Sequence, residues 1–584
     1  MNRLAACLRS PLVRRPRLLV RKVGDRLGLR HAGASPVPAP PEALRGDLPG
    51  IVLPRLRSWV GACDLHDEPF PLQRVFQQDW PPAQLEAWCR NGPPGTRDIT
   101  GDIKLIWDYG RGHAFALNAL RATAPFDPAA RAAAEGLRAW LAANDDRRGP
   151  AWNSAMDMAL RAVNWLAADA ALEGGLARAL GEPEWNRLLW ELGHRIERGL
   201  EVRLLTTNNH YLSELLGLAW LGAYFRATST GARWQIFARH EMESALLAQT
   251  YADGGLHEAS LPYHVFVTEM ALLFLLVQET PPATRWLDRL RRMVEITANA
   301  GSECGAVFQV GDSDGGRVLP LEFVSRSLGH AAVVTRLAAT LGLSATRAAA
   351  AVYPDSGWAM LRRGPVEAHL EFGGWGPFGI GGHAHNDLLS VCLNWNGEPL
   401  VVDPGSALYT PDPILRNRYR STAAHNTVQL GEREQVPLPE PDAKHVFVFC
   451  GPRRPCTVIQ QEADAVTVEN LHAAAGLTSR HQRRMTINGS ALLIQDTVTA
   501  PPGTPCTWSF HLAPGVTAQL AEGRALLTTG AVRVSLSWAL PALDAEVETD
   551  EVSPFYGTRT PALCLRFRAP VGSRQSVTWS FAPA

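Results

Sequence analysis

Nine cysteines in 584 residues are scattered, odd in number and without one Cys-x-x-Cys pair. That spacing supports neither a disulfide framework nor a zinc ribbon, and it fits a reducing compartment. The 57 Lys and Arg residues balance the 57 Asp and Glu, so no global basic field exists for nucleic acid, and a polyanionic ligand would need a local patch. No run approaches the roughly 18 apolar residues of a membrane span. The first 40 residues hold nine Lys or Arg against a single Asp25. Those arginines interrupt every apolar stretch, so no continuous h-region of a secretory signal forms. The sequence therefore predicts a cytoplasmic or inner-membrane-associated chain, with the periplasm as alternative, rather than a secreted one. The basic segment reads either as a solvated arm or as a peripheral contact with an anionic membrane.

What is present is an ordinary globular composition, 46% hydrophobic and 20% charged, in a chain long enough for two or three domains. Residues 32–54, with Pro-Val-Pro-Ala-Pro-Pro, read as a linker, giving a basic arm and linker over 1–54. From there to about 350 the grammar is helical: 111–121, 128–144, 154–173, 183–200, 210–226 and 232–251 carry apolar residues at i, i+3, i+4. Pro128 and Pro183 mark first turns, and Asn153 or Ser154 can cap. Short connections make successive helices antiparallel, as in a solenoid or a toroid of helical hairpins. After 350 the pattern changes to short alternating runs, among them 367–372, 389–395, 446–449, 465–471, 483–487, 491–498, 506–512, 525–528, 532–538 and 575–581. Their spacing is that of an antiparallel sandwich. The expected organisation is thus a helical domain over 55–350 and a β-domain over 351–584.

Chemistry concentrates where Gly381-Gly382-His383-Ala384-His385-Asn386-Asp387 is followed by Asp403-Pro404-Gly405 and Ala424-His425-Asn426-Thr427. Asn396-Gly397 predicts a two-residue hairpin that returns Asp403 towards the two histidines. Two imidazoles and a carboxylate are normal zinc donors, and three protein ligands leave a fourth position; the plainer reading is a polar strand end and a turn. The helical region adds Asn208-Asn209-His210-Tyr211 before an apolar helix, where either asparagine can be the N-cap. It also adds His257-Glu258 to Tyr263-His264 at the start of another helix, and Gly311-Asp312-Ser313-Asp314-Gly315-Gly316. That last stretch lacks the remaining ligands of an EF-hand and reads as a sharp turn. Residues 408–423 contain Tyr409, Arg416, Arg418, Tyr419 and Arg420 and read either as a solvated loop or as a basic patch for an acidic sugar.

Taken in order, Asn209-His210-Tyr211, Glu258 through Tyr263-His264, Gly311-Asp312-Ser313-Asp314, His383-Ala384-His385-Asn386-Asp387, Val402-Asp403-Pro404-Gly405 and His425-Asn426-Thr427 resemble the heparinase II/III family of polysaccharide lyases. The resemblance spans roughly residues 80–580. It implies an incomplete (α/α) toroid followed by an antiparallel β-sandwich, and β-elimination at a uronic acid of a polysaccharide such as a glycosaminoglycan or alginate. It assigns Asn209 to neutralising the uronate carboxylate, and Tyr263, His210 and His383 to the acid–base work. Tyr409, Arg416 and Arg420 are the substrate-binding expectations. His385, Asp403 and His425 match a structural zinc site, with His445 as a rival third histidine. With no secretory signal evident, the expected setting is bacterial exopolysaccharide or surface-glycan metabolism. Competing readings are a glycoside hydrolase, which needs two opposed carboxylates, and a zinc-stabilised glycan-binding or assembly protein without turnover.

Overall fold

The computed structural model describes residues 37–41, 44, 46–65, 74–75, 78–79, 102–122, 128–144, 147, 149–202, 207–302, 305–375, 381–442, 445–449, 456–474, 477–540 and 543–584. The basic arm expected at the N-terminus lies, over residues 1–36, outside them. The chain divides into two compact units that alternate along the sequence. The first holds Met1–Thr250, Phe266–Val294 and Arg317–Ser344, and the second holds Tyr251–Val265, Glu295–Gly316 and Ala345–Ala584.

The first unit is helical because its apolar spacing is helical. Helices form at Val52–Gly61, Ile103–Gly110, His113–Arg121, Pro128–Ala143, Ala155–Ala171, Glu182–Gly199, Asn209–Tyr224 and Ser229–Gln249, close to the periods read from sequence. Caps fix several starts: Ser154 Oγ accepts the Asp157 N–H at 3.2 Å, and Thr228 Oγ1 accepts the Gly231 N–H at 2.9 Å. The core is rich in tryptophan. Trp152 meets Trp140, Trp140 meets Trp165 and Trp165 meets Trp185, ring centroid to ring centroid at 5.7–6.1 Å. The buried Arg161 guanidinium lies over Trp140 at 4.5 Å and donates to the Gly110 and Ala151 carbonyls. The described part of the proline-rich stretch is tied down, with Trp190 Nε1 donating to Pro38 O at 3.1 Å and Asn186 Nδ2 to Leu44 O at 3.1 Å. Among the described residues no helix is long and apolar enough to cross a membrane.

The second unit is built of antiparallel sheet. Five strands from Ala350–Tyr353 to Glu398–Val401 pair in chain order as a meander. Its last turn is the predicted Asn396-Gly397 hairpin, with φ of 51° and 81° and Trp395 paired to Glu398. A four-stranded sheet runs Asp544–Val552, Thr560–Pro570, Pro505–His511, Val428–Leu430. A bridge between Val401 and Leu512 joins it to the meander. The third sheet has eight strands, in the order 517–521, 524–529, 532–538, 574–583, 491–499, 477–488, 465–474, 457–461. One apolar cluster draws on all three sheets, including Leu370, Leu393, Trp508, Phe567, Ile494 and Trp579, so two layers share a core. A second cluster joins Leu261, Ile296, Phe308 and Val310 to Trp358, Met360 and Cys392. Through it, chain from the helical stretch of the sequence becomes part of the β unit. The stretch 446–449, expected as a strand, is turn and coil instead.

Candidate active site

The site grows from a glycine turn. Gly311 has φ +65°, and a Cβ there would sit 2.5 Å from Ala259 O and 2.6 Å from His383 O. Only glycine allows the 259 loop, the 311 loop and the His383 loop to meet so closely. Asp312 then donates its backbone N–H to His383 O at 2.9 Å and accepts from Ser260 Oγ, through its own carbonyl, at 2.6 Å. Ser260 Oγ in turn accepts the Tyr263 N–H at 3.2 Å, at the start of the Leu261–Leu276 helix. Ala259 and Ala407 beside the site both have positive φ, 55° and 53°, a backbone state that non-glycine residues hold only under surrounding constraint.

These contacts set two rings face to face. Tyr263 and His383 stack with centroids 3.9 Å apart and planes 22° from parallel. The Tyr263 hydroxyl lies 3.4 Å from that of Tyr409. His383 Nδ1 meets Asp312 Oδ2 at 2.9 Å, and Nε2 faces Glu258 Oε2 at 3.3 Å. Burial, then the carboxylates of Asp314 and Asp312, push the Tyr263 phenol well above its ordinary value, so it holds its proton as a donor. Burial and Asp312 raise Tyr409 in the same direction.

Asp312 is the hub. Arg416 grips it bidentately, Nη1 to Oδ1 and Nη2 to Oδ2, both at 2.7 Å. Burial opposes a charge there, but Arg416 and then His383 and His385 outweigh it and hold the carboxyl well below its ordinary value. The residues 408–423, expected as a loop, contain the helix Pro413–Arg420. Helical spacing turns Arg416 and Arg420 inward and leaves Arg418 outside. Arg420 donates to Val446 O at 3.0 Å and to Asn417 Oδ1 at 2.6 Å. The expected sugar-facing patch therefore differs: Arg416 and Arg420 are occupied by protein, and Arg418 pairs with Asp550 at 3.1 Å.

His385, Asp403 and His425 are all buried, and one ligand atom from each lies within 4.8 Å of the others. His385 Nε2 donates to Asp312 Oδ1 at 2.9 Å, which places the ring lone pair on Nδ1. His425 Nδ1 contacts Asp403 Oδ2 at 2.7 Å, while its Nε2 is buried without a protein hydrogen bond. Two imidazoles, a carboxylate and an orphaned ring nitrogen fit a cation such as zinc. The adjacent Asn426 locks the loops, donating to Val391 O and Val402 O and accepting from the His511 N–H. His445 is exposed and bonded to Asp442, away from this group. A second group, His511, Asp550 and Cys564, also has ligand spacing. Arg418 and Arg566 already neutralise its carboxylate, at 3.1 and 3.5 Å.

Asn209 and His210 belong to the first unit. Asn209 is the buried first residue of its helix, and the N-cap residue Asn208 makes no side-chain cap hydrogen bond. His210 Nδ1 meets Glu201 Oε2 at 3.0 Å. The sequence places Glu258 and Asp312 in the motifs of the family resemblance without giving either a role, and no residue pattern announces their contacts with His383. Their partners lie 71 or more positions away for Asp312, and a turn motif carries no sign of that.

The heparinase II/III-like C-terminal profile matches residues 345–580, and the heparinase II/III N-terminus profile matches residues 200–299. No curated relative matches the sequence. Among solved structures, a heparinase III is 13% identical with a TM-score of 0.65, covering 98% of this chain and 93% of its own. The heparan sulfate lyase HepC of Pedobacter heparinus is 15% identical with a TM-score of 0.53, covering 97% and 87%. Those likenesses establish the shared architecture, a helical toroid followed by antiparallel β-sheet. By profile and fold, the chain belongs to the heparinase II/III-like family of polysaccharide lyases.

Proposed function

We propose that this chain cleaves a uronic-acid-containing polysaccharide by β-elimination, with Tyr263 as the acid and His383 as the base. The observation that carries this reading is the stacked pair, 3.9 Å apart, in which the Tyr263 phenol holds its proton beside the His383 imidazole. Asp312 occupies His383 Nδ1, so Nε2 is the ring nitrogen assigned to take the proton, and the Glu258 carboxylate 3.3 Å from it would stabilise the imidazolium that forms. In the reaction the C5–H bond breaks towards His383 Nε2. The C4–O4 bond breaks as the C4–C5 double bond forms, and the Tyr263 hydroxyl passes its proton to the departing O4. No water is consumed. The Tyr409 hydroxyl, 3.4 Å away, can support the phenolate that remains until the proton on His383 returns.

Acidity at C5 rises when the neighbouring carboxylate is neutralised by a donor. By family position Asn209 supplies that amide and His210 assists it. A zinc ion held by His385, Asp403 and His425 would supply fixation of the loops rather than chemistry. The substrate class is an acidic polysaccharide, and the setting we favour is bacterial exopolysaccharide or surface-glycan metabolism. Asp312, held ionised in the Arg416 fork, does not offer the proton that a hydrolytic acid must give.

The test is a panel of uronate polysaccharides followed by ultraviolet absorbance of the new double bond. Tyr263→Phe is expected to lower the rate by about 10²–10⁴-fold with polysaccharide binding kept, and His383→Ala to lower it comparably. Reducing ends appearing without absorbance would reject elimination in favour of hydrolysis. Binding without either signal would mark a glycan-binding protein.

A further inference from the structure

The proposed elimination uses Tyr263 and His383, and beside them Asp312 is held by four side-chain hydrogen bonds. Each Asp312 oxygen takes two donors: Oδ1 from His385 Nε2 and Arg416 Nη1, Oδ2 from His383 Nδ1 and Arg416 Nη2. The side chains of Asp312, His385 and Arg416 are wholly buried. No water can replace a lost partner, and the carboxylate cannot turn without moving both imidazoles. We infer that Asp312 is a positioning residue that couples the His385–Asp403–His425 cation site to the orientation of His383. This rests on the reading of His383 as the reacting imidazole.

The geometry gives the coupling a direction. His385 is pinned by Asp312 through Nε2, and an ion at the triad would pin the same ring through Nδ1. A ring held at both nitrogens fixes Oδ1, and a planar carboxylate with Oδ1 fixed also fixes Oδ2, the acceptor for His383. On the far side Arg416 is a rigid backstop. Its Nε donates to Val446 O at 2.6 Å, and its guanidinium lies 4.6 Å over the Tyr409 ring and 5.1 Å over Phe447. Both of those rings also contact His383. Because Arg416 already balances the Asp312 charge, the loops do not rest on the ion alone. Beyond helping to fix them, the ion sets the angle of His383. The backbone of Asp312 reaches Tyr263 as well, through Ser260, so one residue places both members of the stacked pair.

The experiment uses the full chain, ¹⁵N-labelled at histidine, in zinc-loaded, chelator-stripped and zinc-restored forms. The His383 imidazole signals are assigned against His383→Gln. The expected result is about one zinc per chain, an unchanged far-ultraviolet circular dichroism spectrum on stripping, and a shift or broadening of the His383 signals that zinc reverses. Asp312→Asn at saturating zinc should abolish that response, and should lower kcat about 10–100-fold with KM little changed. If Asp312→Asn does not fold, Asp312→Glu and the stripped wild-type chain carry the same comparison. His383 signals indifferent to bound zinc would overturn the coupling, and so would failure of the chain to hold zinc at all. If no polysaccharide is cleaved, the lyase reading fails while the spectroscopic response still decides the coupling.

Discussion

At the scale of single residues, the site depends on groups whose importance is set by distant partners. Arg416→Met should cost about 3–5 kcal/mol of stability, because it leaves the buried Asp312 carboxylate without its counter-charge; urea unfolding beside the wild-type chain measures this. Gly311→Ala forces a side chain into a left-handed turn with two carbonyl oxygens inside contact distance. It should lower stability by more than about 1 kcal/mol and reduce lyase activity together with it. Much of this clustering was legible in the sequence: His383, His385, Asp403 and His425 stand in one short stretch, and such side chains there invite a shared site. Asp312 was not, because Gly-Asp-Ser-Asp-Gly-Gly has the composition of a turn and its four side-chain hydrogen bonds all come from residues far along the chain. Arg416, Arg418 and Arg420 show the same limit. Their spacing reads as a basic loop until a helix divides them between inside and outside.

Among elements, the helices were read well because the 3.6-residue period persists over many turns, and the Asn396-Gly397 hairpin because its two positive φ values demand those residues. Strands without a clean alternation were missed. Asp544–Val552 is mostly polar and half-exposed, so its membership in a sheet is decided by its neighbour Thr560–Pro570. Conversely, the apolar run at 446–449 is not a strand, because its residues serve the Pro413–Arg420 helix: Val446 O accepts from both Arg416 and Arg420. The strands carrying His511 and Asp550, which flank Thr560–Pro570 on either side, make a pH prediction. Burial works against a charged His511, but Cys564 and Asp550 outweigh it and raise it from 6.5 to about 9. The stabilisation is complete below pH 6.5 and is lost as pH rises through about 9. His511→Gln should be less stable than wild type at pH 6 by about 3 kcal/mol at most, and the gap should close in urea titrations above pH 9.

For the whole molecule, spatial grouping and chain order part company: Tyr251–Val265 and Glu295–Gly316 belong with Ala345–Ala584. A fragment of residues 345–584 would lack Glu258, Tyr263 and Asp312. It would also leave Trp358, Met360 and Cys392 without Leu261, Ile296 and Phe308. Such a fragment is expected to bind a hydrophobic dye and melt well below the intact chain, which calorimetry and dye fluorescence would record. The same interleaving sets a timetable during synthesis. Asp312 leaves the ribosome 71 residues before His383 and 104 before Arg416. A nascent chain therefore carries the Asp312 carboxyl and the Tyr263 phenol for a long interval before His383 and the balancing Arg416 exist. Catalytic competence arrives late and all at once, when the Arg416 helix closes a circuit that translation had left open.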